Sequence, residues 1–246
     1  MSSKRLRASG DSDSSPSDAN GMLLDPFDWT ELVASYKEAD TTREMVIKRC
    51  RDMQKLSKNA IFSLHRGDLA GADVQIASAE GIARELLPTV DTAPSLRQGS
   101  FGSACEEWAE AVIFRTYLAE ARVLAWREVS WLTCEEYLGG LLDFSGELGR
   151  LAVAKATERD EAAVSTYLSL LDDMCARMLT LDPRHPALRK KQGPLLGTVS
   201  KVQRLVYELS LSRGLALMGA RMKATVTTRP SGEQAGGGGD GGDGEA

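Results

Sequence analysis

Long apolar runs, clustered cysteines and strand-like alternation are all missing from this sequence of 246 residues. No stretch of eighteen or more apolar residues occurs, so no helix is expected to span a bilayer. Met1 to Asn20 is polar and rich in Ser and Asp, and it lacks the apolar core of a secretory signal. The four cysteines (Cys50, Cys105, Cys134, Cys175) stand singly within helical patterns, with no CxxC and no Cys/His cluster, and His65 and His185 are far apart. Neither zinc nor a disulfide framework is expected, and the thiols read as small buried hydrophobes in a reducing compartment. Proline is scarce, with eight residues that lie mostly near breaks between helical patterns. A Gly-rich phosphate loop, GxSxG, HExxH and kinase-type motifs are likewise missing, which removes the commonest nucleotide, hydrolase and metalloprotease classes.

What is present is an ordinary 42% of hydrophobic residues, enough to bury a sizeable core in one domain with tails. The net charge of −5 is unevenly placed. Residues 231–246 carry four acids and no base, residues 1–27 are nearly neutral, and the body between holds 27 bases and 27 acids. A neutral body neither announces nor excludes a nucleic-acid partner; binding would need a local basic patch or basic partner subunits. The Ser/Asp-rich segment 1–27 and the Gly/Asp-rich segment 224–246 are expected to be disordered tails flanking a helical domain over 28–223. Lys4-Arg5-Leu6-Arg7 is a short basic cluster that fits nuclear entry or plain solvated charge.

Between the tails the periodicity is helical, with no Asn-Gly or Asp-Gly hairpin signal. A first helix of nearly forty residues is expected from Asp28, capped with Glu31, to the region of Gly67. A second spans about Ala70 to Leu87 and stops at Pro88, and a loop with Pro94 and Gly99 follows. The third runs from about Phe101 to Arg127. The fourth, Cys134 to Thr157, opens on a Thr133-x-x-Glu136 capping box. The fifth, from Asp160 to Leu181, ends before Asp182-Pro183. A sixth covers Ala187 to Leu215 with a break at Gly193-Pro194, and a short last helix reaches Lys223. The fold class predicted is all-α, an antiparallel bundle of about six to seven helices with disordered N- and C-terminal tails.

Three acidic groupings stand out. Glu107 and Glu110 share a helical face with Phe114, Tyr117 and Leu118, so the pair points toward protein. Paired carboxylates near an interior repel and are costly to bury, and a divalent cation relieves both problems; a solvated face is the ordinary alternative. Asp143 and Glu147 are i,i+4 neighbours in a helix with Gly139, Gly140 and Gly146, each costing about 1 kcal/mol against Ala. Close approach of another helix or of a ligand accounts for retaining them. Glu147 also has an ordinary partner within reach in Arg150. Asp172 and Asp173 lie mid-helix, where Asp is a poor helix former, and periodicity alone does not choose between them. His65-Arg66 could contact phosphate or act as an acid, though cations in a last turn also complement the helix dipole.

With those residues in view, the chain from Tyr36 to Gly214 resembles the translin/TRAX family, on the side of TRAX (translin-associated factor X). Ser57-Lys58-Asn59-Ala60-Ile61-Phe62-Ser63-Leu64-His65-Arg66 is similar to the helix end that closes Ile-Phe-x-Leu-His-Arg in TRAX. Glu106-Glu107-Trp108-Ala109-Glu110-Ala111-Val112 resembles the stretch that supplies TRAX with catalytic acids and that translin lacks. Asp143-Phe144-Ser145-Gly146-Glu147-Leu148 is TRAX-like in its first position, and Val199 to Gly214 is similar to the shared C-terminal helix. Ala125 to Cys134 departs from the pattern, being shorter than the insertion TRAX proteins often carry there.

The resemblance implies an Mg²⁺-dependent (or Mn²⁺-dependent) endoribonuclease. It would act within a hetero-oligomer with translin, in cytoplasm and nucleus, on single-stranded RNA such as small-RNA passenger-strand or tRNA-precursor fragments, with single-stranded DNA as a further ligand and no membrane. By the same resemblance Glu107, Glu110 and Asp173 are the expected catalytic residues, Asp173 being preferred to Asp172 by counting from Val164-Ser165-Thr166-Tyr167-Leu168, and Glu107, Glu110, Asp143 and Asp173 are the expected metal ligands. Hard carboxylate oxygens from separate helices suit that metal. The alternative is a non-catalytic nucleic-acid-binding or scaffolding partner of translin.

Overall fold

A computed structural model describes residues 25–227, with side chains through residue 220; Lys4-Arg5-Leu6-Arg7 and most of the two expected tails lie outside the described residues. The helices are α1 (Pro26–His65), α2 (Leu69–Thr92), the single turn α3 (Pro94–Leu96), α4 (Gly102–Glu120), α5 (Cys134–Thr157), α6 (Glu161–Leu181) and α7 (Pro186–Thr227). Among the described residues there is no strand and no helix long and apolar enough to cross a membrane. The all-α bundle expected from periodicity is the fold observed.

α4 and α5 form the centre. α1 and α2 pair with each other on the α4 side, while α6 and α7 pair on the α5 side, with α7 lying along α5. Trp108, Phe101, Phe114, Phe144, Met53, Leu86, Ile113 and Leu148 fill the interior. The Trp108 indole N–H donates to the Ile76 carbonyl at 3.1 Å, which satisfies the one polar atom that this side chain carries into the core.

Helix ends follow their capping chemistry with some shifts from expectation. α1 starts before Asp28, because Asp25 accepts the amides of Phe27 and Asp28 and Pro26 occupies the first helical turn. The Thr133/Glu136 capping box forms as expected, and Glu136 also takes two bonds from Arg97. α2 does not stop at Pro88 and α7 does not break at Gly193-Pro194. In both cases buried residues lie on either side of the proline, Leu86 and Val90 in α2 and Leu188, Leu195 and Val199 in α7. Their burial, worth about 1.5–3 kcal/mol for each large side chain, offsets a proline cost of about 3 kcal/mol. α4 ends at Glu120 rather than near Arg127, closed by Ala121 at φ 54° with its N–H on the Tyr117 carbonyl. The segment that follows folds into the short 3-10 turn Trp126–Val129. Residues 224–227, expected within the C-terminal tail, belong to α7.

Candidate metal and phosphate site

The contact between α4 and α5 sets the site. A Cβ on Gly140 would stand 2.5 Å from the Ala109 Cβ, 2.7 Å from the Glu106 carbonyl oxygen and 2.8 Å from the Glu110 nitrogen. One on Gly139 would meet the Glu106 side chain at 2.5 Å. Only glycine permits this approach, and it brings the face carrying Glu107 and Glu110 against the face carrying Asp143 and Glu147. A Cβ on Gly146 would meet nothing within 4 Å, because that glycine borders open space.

That space is a cleft of about 340 Å³ lined by Glu107, Glu110, Asp143 and Glu147 together with Arg150, Lys191, Pro194 and Thr198. Four carboxylates therefore meet in one place. Glu110 is the deeper of the two on α4, at 8% exposure. Burial first, and then the charges of Glu147, Asp143 and Glu107 with hydrogen bonding to Glu147, push its carboxyl up to about 9. Glu110 is thus held protonated at neutral pH.

Cations from three helices bond these carboxylates. Lys191 of α7 reaches Glu106 at 2.5 Å, Asp143 at 2.5 Å and the Gly139 carbonyl at 3.3 Å. Burial pulls its pKa down, but the bonds to Asp143 and Glu106 outweigh this and hold the ammonium above its ordinary value. Lys58 of α1 lies 3.2 Å from Glu107. Arg150 donates to both oxygens of Glu147 at 2.6 and 2.8 Å. The Nε2 of His65, at the end of α1, also bonds Glu147, while its ring packs on Phe114 with centroids 4.9 Å apart.

Of the expected site residues, the structure brings Glu107, Glu110 and Asp143 together and leaves Asp173 out. Asp173 lies on the outer face of α6 with a side chain 54% exposed, paired with Arg177 one turn on at 2.8 Å. The reason is angular. Leu171, Met174 and Met178 form the buried stripe by which α6 packs on α5 and α7, which turns residues 172 and 173 toward solvent. The fourth carboxylate of the cleft is Glu147, signalled by its i,i+4 spacing from Asp143. Its pairing with Arg150, the ordinary reading of Glu147, is present as well. Lys191 carries no signal of its own, since nothing in its local sequence separates it from the neighbouring Lys190. Among the described residues no group of three or more acidic, His or Cys side chains is arranged to hold a metal ion. Asp143, Glu107 and Glu147 are each held by a side-chain cation or by His65 instead.

Comparison with known proteins adds a family. The Translin family model matches residues 41–213. Translin of Gallus gallus is 39% identical over 87 residues, 34% of this chain and 36% of that protein, so the chain spans about a third of the length of the curated translins it matches. The Translin-associated protein X homolog of Schizosaccharomyces pombe is 23% identical over 189 residues, covering 70% of this chain and 82% of that protein. The crystal structure of apo-NeC3PO superposes with a TM-score of 0.67 at 21% identity, over 77% of this chain and 100% of that chain, a likeness of fold.

Proposed function

This chain belongs to the Translin family, and from that premise we propose that it is a TRAX-like, Mg²⁺-dependent endoribonuclease subunit that cleaves single-stranded RNA in a hetero-oligomer with translin. The observation that carries the reading is the convergence of Glu107, Glu110, Asp143 and Glu147 on one cleft. Glu147 takes the place that the family resemblance gives to Asp173.

The donor set fits a hard divalent cation. All four groups offer carboxylate oxygens, the ligand type that Mg²⁺ and Mn²⁺ prefer. Glu110 is kept neutral first by its burial and then by the neighbouring charges of Glu147, Asp143 and Glu107. A bound cation would be held by Glu107, Glu110, Asp143 and Glu147, and it would supply an activated water and neutralise charge developing on the scissile phosphate. The chain's own residues prepare this. Glu110 would serve as a ligand in its carboxylate form, after releasing its proton to solvent. Lys191 holds Asp143 in position and, if freed by a bound cation, would be placed to face the phosphate. Lys58 and Arg150, both largely exposed at the rim, are placed to meet the flanking phosphates. A bond between His65 Nε2 and the Glu147 carboxylate orients Glu147 toward the cleft.

Assembly is supported by large apolar side chains left uncovered at the outer ends of the two longest helices. Phe27, Trp29, Leu32 and Tyr36 on α1, and Leu211, Leu215, Leu217 and Met218 on α7, are more than 48% exposed. Such patches are what a subunit contact covers. A non-catalytic role in the same assembly is favoured by one observation, the ion pairs that already neutralise three of the four carboxylates.

Cleavage of a fluorescent single-stranded RNA by the complex with translin separates the two. The nuclease reading expects activity with Mg²⁺, none with chelator, loss of about a hundredfold or more in D143N and in E107Q/E110Q, and no change in D173N. Cleavage that persists in chelator or in E107Q/E110Q refutes it.

A further inference from the structure

The neutral charge of the body conceals a segregated one. On α1 the residues Lys48, Arg51, Lys55, Lys58, Phe62 and Arg66 are all exposed. At 100° per residue they fall within an arc of about 80°. They form one stripe about 27 Å long at 1.5 Å rise per residue. Five of the six are cationic; the one acid of this stretch, Asp52, lies off the arc and turns toward Arg49 at 3.5 Å, and Glu44, one turn before Lys48, is the acid nearest the stripe's start. Lys48, Arg51, Lys55 and Arg66 make no ion pair with a carboxylate among the described residues, whereas Arg43 and Arg49 on the same helix do. Phe62 is 62% exposed, and the Arg66 guanidinium stands 4.6 Å from its ring centroid.

The stripe leads somewhere. Lys58 contacts Glu107 and His65 contacts Glu147, so the end of α1 that carries Phe62 and Arg66 lies against the acidic cleft. A row of cations spaced about one helical turn apart, with an exposed aromatic ring that Arg66 covers on one face at the end nearest the cleft, has the chemistry of a single-stranded nucleic-acid track. The cations follow the phosphates and the ring stacks a base. An anionic membrane suits it less well, because apart from Phe62 the stripe presents no apolar side chain for insertion.

We infer that this face of α1 binds single-stranded RNA and feeds it to the cleft, with Lys48, Arg51, Lys55, Lys58 and Arg66 on phosphates and Phe62 under a base. The inference rests on the nuclease reading only for what happens at the end of the track, since binding itself requires no metal.

The test is fluorescence anisotropy of the full chain with 5′-labelled single-stranded oligouridine RNA in chelator, over a range of salt. F62A is expected to weaken binding about tenfold, within the range measured for loss of one base–aromatic stack. K48E/R51E/K55E is expected to weaken it further and to lower the slope of log affinity against log salt by about two, from roughly 0.7 per neutralised phosphate. A charge-matched reversal on α6 and α7, R177E/K201E/R204E, should change affinity less than about threefold. All substituted positions are exposed, so unaltered melting temperatures keep folding out of the comparison. No RNA binding in chelator, equal weakening by the control reversal, or loss of phosphatidylserine-vesicle binding with RNA binding intact would each overturn the track. Binding that follows the stripe without cleavage in Mg²⁺ would leave it standing and remove the nuclease reading instead.

Discussion

Glu110 offers the sharpest check on the electrostatics of the cleft. Its carboxyl sits at about 9 in the folded protein against an ordinary 4.5, chiefly through burial and then through Glu147, Asp143 and Glu107. Between those two values the folded chain binds a proton that the unfolded chain has released. The stability from this neutral carboxyl is complete below 4.5 and is lost as pH rises toward 9. Each pH unit in that window removes about 1.4 kcal/mol. At pH 7.5, about three units above the ordinary value, the accumulated cost is about 4 kcal/mol as a ceiling, before relaxation of the cleft. E110Q keeps the shape and removes the titration. Urea denaturation in chelator at about pH 6, 7 and 8 should show wild-type stability falling faster than that of E110Q, by about 1.4 kcal/mol per unit. E110Q should therefore be the more stable protein at the highest of these pH values. Parallel pH dependences of the two proteins would refute the argument, because Glu110 would then ionise as an exposed glutamate does.

Three further outcomes follow from other contacts. K191M removes the ammonium shared by Asp143 and Glu106, so the metal-free protein should melt lower while Mn²⁺, followed by calorimetry, binds about tenfold more tightly, as loss of a competing charge-assisted bond requires. G140A should destabilise by about 1–3 kcal/mol in a denaturant titration by forcing α4 from α5, whereas G146A, with open space beside it, should gain up to about 1 kcal/mol. R97M strands the buried Glu136 carboxylate, which also serves the α5 cap, and should cost about 3 kcal/mol by the same titration.

Local rules made the fold readable. The Thr133/Glu136 box marks the α5 start because capping is a contact between residues three apart, and α5 runs from Cys134 to Thr157 as the sequence indicates. Pro88 and Pro194 mislead because their effect depends on which residues beyond them are buried, and Val90 or Leu195 shows this only in three dimensions. In the site, Glu107, Glu110 and Asp143 are legible because spacing and apolar neighbours set them on inward faces. Asp173 does not reach the cleft, and Leu171, Met174 and Met178 already imply the stripe that turns it outward. Counting from Val164-Ser165-Thr166-Tyr167-Leu168 fixes a position along α6 without fixing its rotation. Lys191 and the bond from His65 to Glu147 join residues 48 and 82 positions apart from their partners, a pairing that periodicity within one helix does not encode.

The bonds from Lys58, Lys191 and Arg150 to the cleft's carboxylates end on long, freely jointed side chains, while the backbone of α4 and α5 beneath them is locked by the Gly140 contact. Admission to the carboxylates consequently asks for rotamer hops on a picosecond to nanosecond scale, with no hinge and no sliding helix. Should a hydrated cation enter, its own dehydration rather than the motion of these side chains would be the slow event at the entrance.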